Sequence, residues 1–194
     1  LEKRQMEGYY CPTVEDAEKL AFSFLKDGQT VSFGGSMTLE ETGMLTALRH
    51  DPSIHLIDRS TAKTPDETKK MYHDALSSDV YFMSTNAITT GGELVNIDGT
   101  GNRVAALIYG PETVVILAGM NKIAANVDEA LSRVHNVATA QNCIRLDKKT
   151  PCAITGACAD CLSPDCICNQ VVITRRSGIK GRIKVLLIGE SFGY

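Results

Sequence analysis

The chain has 194 residues, 43% of them hydrophobic, which is enough to bury a sizeable core and suits one domain over residues 1–194 better than two. A formal charge of -3, a pI near 5.8 and scattered lysines and arginines leave no global attraction to polyanions, so no nucleic-acid partner is expected. No apolar run reaches the roughly 20 residues of a membrane span, and "LEKRQMEGYY" lacks the apolar stretch of a signal peptide, so the expectation is a cytoplasmic protein with no membrane partner.

In chain order, Thr13 to Asp16 resembles a capping box and predicts a helix from Val14 to Lys26, closed by Asp27-Gly28. "TVSF" (Thr30 to Phe33) reads as a buried strand. After Gly34-Gly35-Ser36, Thr38 with Glu41 forms a second capping box for a helix to about His50, where Asp51-Pro52 stops it. "IHLI" (Ile54 to Ile57) is a further strand, and Thr64-Pro65-Asp66-Glu67 supplies an N-cap, a first-turn proline and an acidic first turn. "VYFM" (Val80 to Met83) and "TVVILAG" (Thr113 to Gly119) read as fully buried strands, with "GGELVNI" between them as a hairpin or extended segment. Asn126 and Glu129 cap a helix through Val134, and "QVVITRR" and "IKVLLIG" are late strands around a Ser177-Gly178 turn. Strands separated by helices predict an α/β fold, a mainly parallel sheet with helices on both faces and room for one antiparallel edge.

In such a sheet ligands bind beyond the carboxyl ends of the strands, so the loops after strands are the candidate sites. Gly34, Gly35, Ser36 and Thr38 bring small residues and free backbone N–H groups to a helix start, a pattern that serves an anion or a simple tight turn. The stretch Ser84 to Pro111 is dense in Asn, Thr, Asp and Gly. It contributes Asn86 and the run Asp98, Gly99, Thr100, Gly101, Asn102, Arg103, where a guanidinium can clamp a carboxylate or phosphate. The plainer reading makes Asp98 a turn cap and Arg103 a solvated charge. Lys122 follows a buried strand, and its role rests on convergence with the other two loops. The catalytic candidates are Asp98, then Glu93 and Lys122. His50, His55, His73 and His135 have no metal-binding spacing. No nicotinamide or flavin motif is present.

Five of the seven cysteines lie in the segment 152–168. Cys158-x-x-Cys161 has chelate spacing, and Cys166-x-Cys168 returns a second pair after Ser163-Pro164-Asp165, with Cys152 as a reserve ligand. Four thiolates suit zinc or an iron-sulfur cluster; reactive or buried free thiols are the alternative. Cys11 and Cys143 read as ordinary small buried residues.

The stretches "TVSFGGSMTLEETG", "YFMSTNAITTGGELVNIDGTGNRVAALIYGP", "VVILAGMNKI" and "GACADCLSPDCICNQVVITRR" together resemble the lactate-utilisation (LUD) domain family, in its short form with a cysteine-rich C-terminal segment. The resemblance covers nearly the whole chain. It implies a fold similar to sugar-phosphate isomerases, CoA transferases and formyltetrahydrofolate cyclo-ligase, with the early glycine loop binding an anionic substrate. It also implies a link to lactate oxidation beside iron-sulfur or oxidoreductase subunits. The functional expectation is a binder of a small anionic metabolite. The competing readings are an electron-transfer or redox-sensing subunit using the cysteines, and a non-catalytic interaction protein, with homo-oligomers open in each case.

Overall fold

The computed structural model describes residues 1–194. In chain order its strands are β1 (Glu7–Cys11), β2 (Thr30–Phe33), β3 (His55–Ile57), β4 (Val80–Met83), β5 (Ala87–Thr89), β6 (Leu94–Asp98), β7 (Thr113–Gly119), β8 (Ile123–Ala124), β9 (Gln170–Thr174) and β10 (Ile183–Ile188). The helices are α1 (Val14–Phe22), α2 (Met37–Glu41), α3 (Met44–His50), α4 (Pro65–Ala75), α5 (Asn102–Ile108), α6 (Val127–Arg133), α7 (Ala140–Arg145) and α8 (Pro151–Thr155).

Six strands form one sheet in the order β1-β10-β7-β4-β2-β3, every pair parallel. Side chains alternate between its two faces, and the alternation sorts the core. Val31, Phe33, Val80, Phe82, Val115, Leu117, Leu186 and Ile188 point to one face, against Ala17 and Ala21 of α1, Leu39 of α2, and Met44, Leu45 and Leu48 of α3. Tyr81, Met83, Val114, Ile116, Ile183 and Val185 point to the other, against Ala75 of α4 and Ala106 and Leu107 of α5. Covering on both faces explains why β4 and β7 carry continuous apolar runs in the sequence. No helix is long and apolar enough to cross a membrane.

The antiparallel pairs lie in a second sheet, β8-β5-β6-β9, instead of at an edge of the first. "GGELVNI" is the second half of the β5–β6 hairpin. "QVVITRR" and "IKVLLIG" do not pair with each other: β9 joins β6 antiparallel, and β10 inserts between β1 and β7. The second sheet packs Ala87, Val95 and Ile97 against Ala130 of α6 and against Val134 and Ala138 of the π-helical stretch Val134–Thr139, which joins α6 to α7.

Three helix boundaries differ from the sequence reading. The first helix ends at Phe22, where the Ser23 hydroxyl donates to the Leu20 carbonyl at 2.6 Å and the Phe24 ring turns out to meet Tyr9, 5.6 Å between centroids. Ser36, and not Thr38, is the N-cap of α2, accepting from the Leu39 N–H. Gly43, at φ 74, divides the expected helix into α2 and α3, so Glu41 is free to accept a hydrogen bond from the Gly193 N–H at 2.6 Å.

Candidate functional site

Because β7, β4 and β2 are neighbours, their carboxyl ends deliver three loops to one rim: 34–36 after β2, 84–86 after β4 and 119–122 after β7. A fourth arrives from the second sheet, where β6 passes through 99–101 into α5. These loops enclose a cavity of about 430 Å³. Gly35, Ser36, Asn86, Asp98, Gly99, Thr100, Asn102, Arg103 and Lys122, all singled out in the sequence, line it.

Four sequence candidates fall outside its wall. Thr38 is fully buried, and its hydroxyl donates to the Phe192 carbonyl at 3.2 Å. Gly101, at φ 90, is the left-handed N-cap of α5. Gly34 lies behind the wall, where an added Cβ would meet the Arg103 Cγ and Cδ at 3.2 Å, so the missing side chain makes room for that arginine. Glu93 sits at the β5–β6 turn, paired with Arg4 and bonded by the Thr89 hydroxyl, which holds its carboxyl below the usual range.

Arg103 organises the floor. Its side chain is 11% exposed and stands 3.5 Å from an Asp98 carboxylate oxygen. It donates to the Asn96 Oδ1 at 2.5 Å, the Asn86 Oδ1 at 3.0 Å, and the carbonyls of Ser84 and Ile97 at 3.2 and 3.0 Å. Burial pulls its pKa down, and the Asp98 charge opposes that shift. Asp98 is itself engaged as an acceptor from the Gly101 and Val104 N–H groups, so its carboxylate caps α5 while neutralising Arg103.

Lys122 is 3% exposed. Its Nζ lies 3.2 Å from the Ser84 Oγ and 3.2 Å from the main-chain oxygen of Tyr194. Burial first, then Arg133 and Arg103, lowers its pKa to about 7, and Glu41 opposes them.

Several wall residues were not singled out from the sequence. Arg59 enters just after Asp58 with its guanidinium 5.6 Å from the Tyr72 ring centroid, and both residues line the cavity. Asn142 and Arg145, three apart on α7, present one face to it, with the Arg145 Nε donating to the Tyr194 hydroxyl at 2.7 Å. Lys148 completes the set. The i, i+3 spacing of Asn142 and Arg145 was the available signal; nothing local marks Arg59. Arg59, Arg103, Lys122, Arg145 and Lys148 thus face Asp98 and Asp165 across one cavity, a strongly positive balance in a chain of net charge -3.

The cysteine segment forms the remaining wall through Pro164, Asp165, Cys166 and Ile167. It is tied down where the Lys149 N–H donates to the Asp165 carboxylate at 2.9 Å, and where Asn169 donates to the carbonyls of Asp98 and Gly99 at 3.1 and 3.0 Å. Its thiols are unevenly spread: Cys166 neighbours both Cys161 and Cys168, and the buried Cys143 neighbours Cys152. Cys158 is exposed, 3.5 Å from the His135 Nδ1; Cys168 lies beside Thr139; the reserve residue Cys152 is buried beside Thr150. Burial pushes the Cys168 thiol up to about 11, and hydrogen bonds from Ser163 lower that of Cys161. In this arrangement no three His, Cys, Asp or Glu side chains stand together as a metal-binding group.

A family model described as the LUD domain matches residues 1–188. The chain belongs to the LUD domain family. No curated protein matches this LUD domain. Among solved structures it is similar to eIF2B delta from Chaetomium thermophilum, at 18% identity and TM-score 0.40, over 62% of this chain and 51% of that one. It spans about half the length of that relative. A duf162 family protein from Deinococcus radiodurans matches at 11% identity and TM-score 0.38, over 91% of this LUD domain and 94% of the other chain. Ribose 5-phosphate isomerase A from Methanocaldococcus jannaschii matches at 19% identity and TM-score 0.36, over 58% and 54%.

Proposed function

We propose that this LUD domain binds a small anionic metabolite, a hydroxy acid or a phosphorylated compound, in the cavity at the strand ends, and that it serves lactate utilisation as a ligand-binding subunit. The observation that carries the reading is the convergence of Arg59, Arg103, Lys122, Arg145 and Lys148 on one concave site. Guanidinium and ammonium groups placed together cost electrostatic energy unless an anion joins them, and the acidic side chains that line the cavity are Asp98 and Asp165. The redox step of lactate oxidation falls in this reading to a partner oxidoreductase or iron-sulfur subunit. A thermal-shift screen of organic acids, sugar phosphates, CoA esters and folates tests it. The expected result is stabilisation by at least one class, weakened in Arg59→Ala; no shift with any anion contradicts it.

A second reading concerns the cysteine wall. Cys166 lines the cavity beside Cys161 and Cys168, and hydrogen bonds from Ser163 favour the thiolate of Cys161. We propose that Cys158, Cys161, Cys166 and Cys168, with Cys152 in reserve, take up zinc or an iron-sulfur cluster. Iron, zinc and sulfide analysis of anaerobically purified protein decides this. Stoichiometric metal supports it, and metal-free protein with freely titrating thiols contradicts it.

A further inference from the structure

The anion cavity does not end at its cations. A second cleft of about 370 Å³ adjoins it, and the two share the loop at Gly35 and a collar of Met37, Arg59, Tyr72, Arg145 and Leu146. Arg59 is the centre of the collar. Asp58 caps the turn that carries it, accepting from the Ser60 N–H at 2.8 Å. An added Cβ on Gly35 would collide with the guanidinium, so the glycine lets Arg59 lie against the loop backbone. There the guanidinium stands 5.6 Å from the Tyr72 ring centroid, and its single hydrogen-bond contact is the Tyr72 hydroxyl at 3.5 Å. No acidic side chain pairs with it.

The two sides of the collar differ in charge. On the cavity side, five cationic side chains face Asp98 and Asp165. In the second cleft Arg49 is held by Asp58 at 2.8 Å, Ser60 and Thr68 add neutral hydroxyls, and the one further charge beyond the collar is Glu40. Between the two, Met37, Tyr72 and Leu146 offer apolar surface, with Leu146 43% exposed. A ligand that satisfies both sides is anionic at one end and flat and uncharged at the other. Charge and size point the same way. A monocarboxylate such as lactate brings one charge to the five cations, whereas a phosphate ester brings about two. A cavity of about 430 Å³ with a second cleft beside it is in the range that takes up a whole cofactor-sized molecule.

We infer that the ligand of this site is a nucleoside phosphate, with its phosphate among Arg103, Lys122, Arg145 and Lys148 and its base stacked at the collar on Tyr72, toward the second cleft. The inference rests on the reading of the cavity as an anion site, and selects among those anions a phosphorylated compound with an aromatic tail. Every base presents a π face, so the collar selects the class without choosing the base.

The test is calorimetric titration of the full chain with AMP, GMP, CMP and UMP, set against ribose 5-phosphate, inorganic phosphate and lactate, which carry the anion without the base. At least one nucleotide should bind about tenfold or more tightly than ribose 5-phosphate, the order of one base–aromatic stack. Tyr72→Ala should erase that ratio, whatever it does to the two affinities together, and Tyr72→Phe should keep it. Leu146→Ser, at a half-exposed side chain whose truncation spares the core, should reduce the ratio by a smaller factor. Ribose 5-phosphate binding as tightly as every nucleotide, or a nucleotide preference untouched by Tyr72→Ala and Leu146→Ser, overturns the inference and leaves the anion reading in place, as does binding of lactate alone. Failure of every probe to bind removes both.

Discussion

Two side chains show how far a residue's identity falls short of its role. From the sequence, Lys122 was one lysine after a strand, and such lysines are usually solvated. Its burial follows from contacts with residues 190–194, far away in the chain, which no local pattern announces. The buried amine has a stability consequence whose sign is fixed. With a folded pKa of about 7 against 10.5 for the free side chain, the unfolded chain binds more protons between those values. Stability contributed at this position therefore rises as pH rises from about 7 to 10.5, and the cost of burial is fully present below about 7. Lys122→Met should gain stability relative to the parent as pH falls from 10.5 to 7, with the difference level below about 7, in denaturant titrations across that range. Arg103 and Arg59 should separate in the opposite sense. Arg103→Ala removes the hydrogen bonds to Asn86, Asn96, Ser84 and Ile97 and unpairs Asp98, so it should cost about 3 kcal/mol and abolish anion stabilisation. Arg59→Ala removes a less buried group. It should cost under about 1 kcal/mol in folding while weakening anion binding by about tenfold or more, as read by paired unfolding and titration experiments.

At the scale of elements, the strands read best were those with the strongest local signature. β2, β4, β7 and β10 are buried on both faces, and burial writes itself into sequence as an apolar run. β1 was missed because it is a half-exposed edge strand, "EGYYC", whose only sheet partner is β10, roughly 177 residues away. The second sheet was missed for a related reason: β9 pairs with β6 over a long sequence separation, from Asp98 to Gln170 at the nearest, and its residues are largely exposed. The loops of the site were legible because they follow the readable strands. The helix wall of Asn142 and Arg145 was not, because the π-helical stretch carries the chain past the expected end at Val134 into α7, which closes only at Arg145. Gly119 tests how the terminal segment seals the site. An added Cβ there would stand 2.5 Å from the Phe192 backbone N and 2.8 Å from the Glu190 carbonyl oxygen, and backbone cannot step aside as a side chain does. Gly119→Ala should therefore lower thermal stability by several degrees and displace Tyr194 from Lys122, with a matching loss of anion binding.

Across the whole molecule, an acidic chain has placed five of its 20 lysines and arginines around one concavity. Composition recorded only the net -3 and concealed the local field, since charge position is a property of the fold. Binding that depends on this field should weaken with ionic strength, most steeply below about 0.15 M, where screening lengths exceed the size of a ligand. A salt series at constant pH checks it, and an affinity independent of salt would point to apolar recognition. Calorimetric titration of the full chain with a matched set of hydroxy acids, oxo acids and sugar phosphates tests the central claim most directly. The account predicts saturable binding of at least one of these anions, lost in Arg103→Ala and weakened in Arg59→Ala. No binding by any of them, or binding unchanged in both variants, would contradict it.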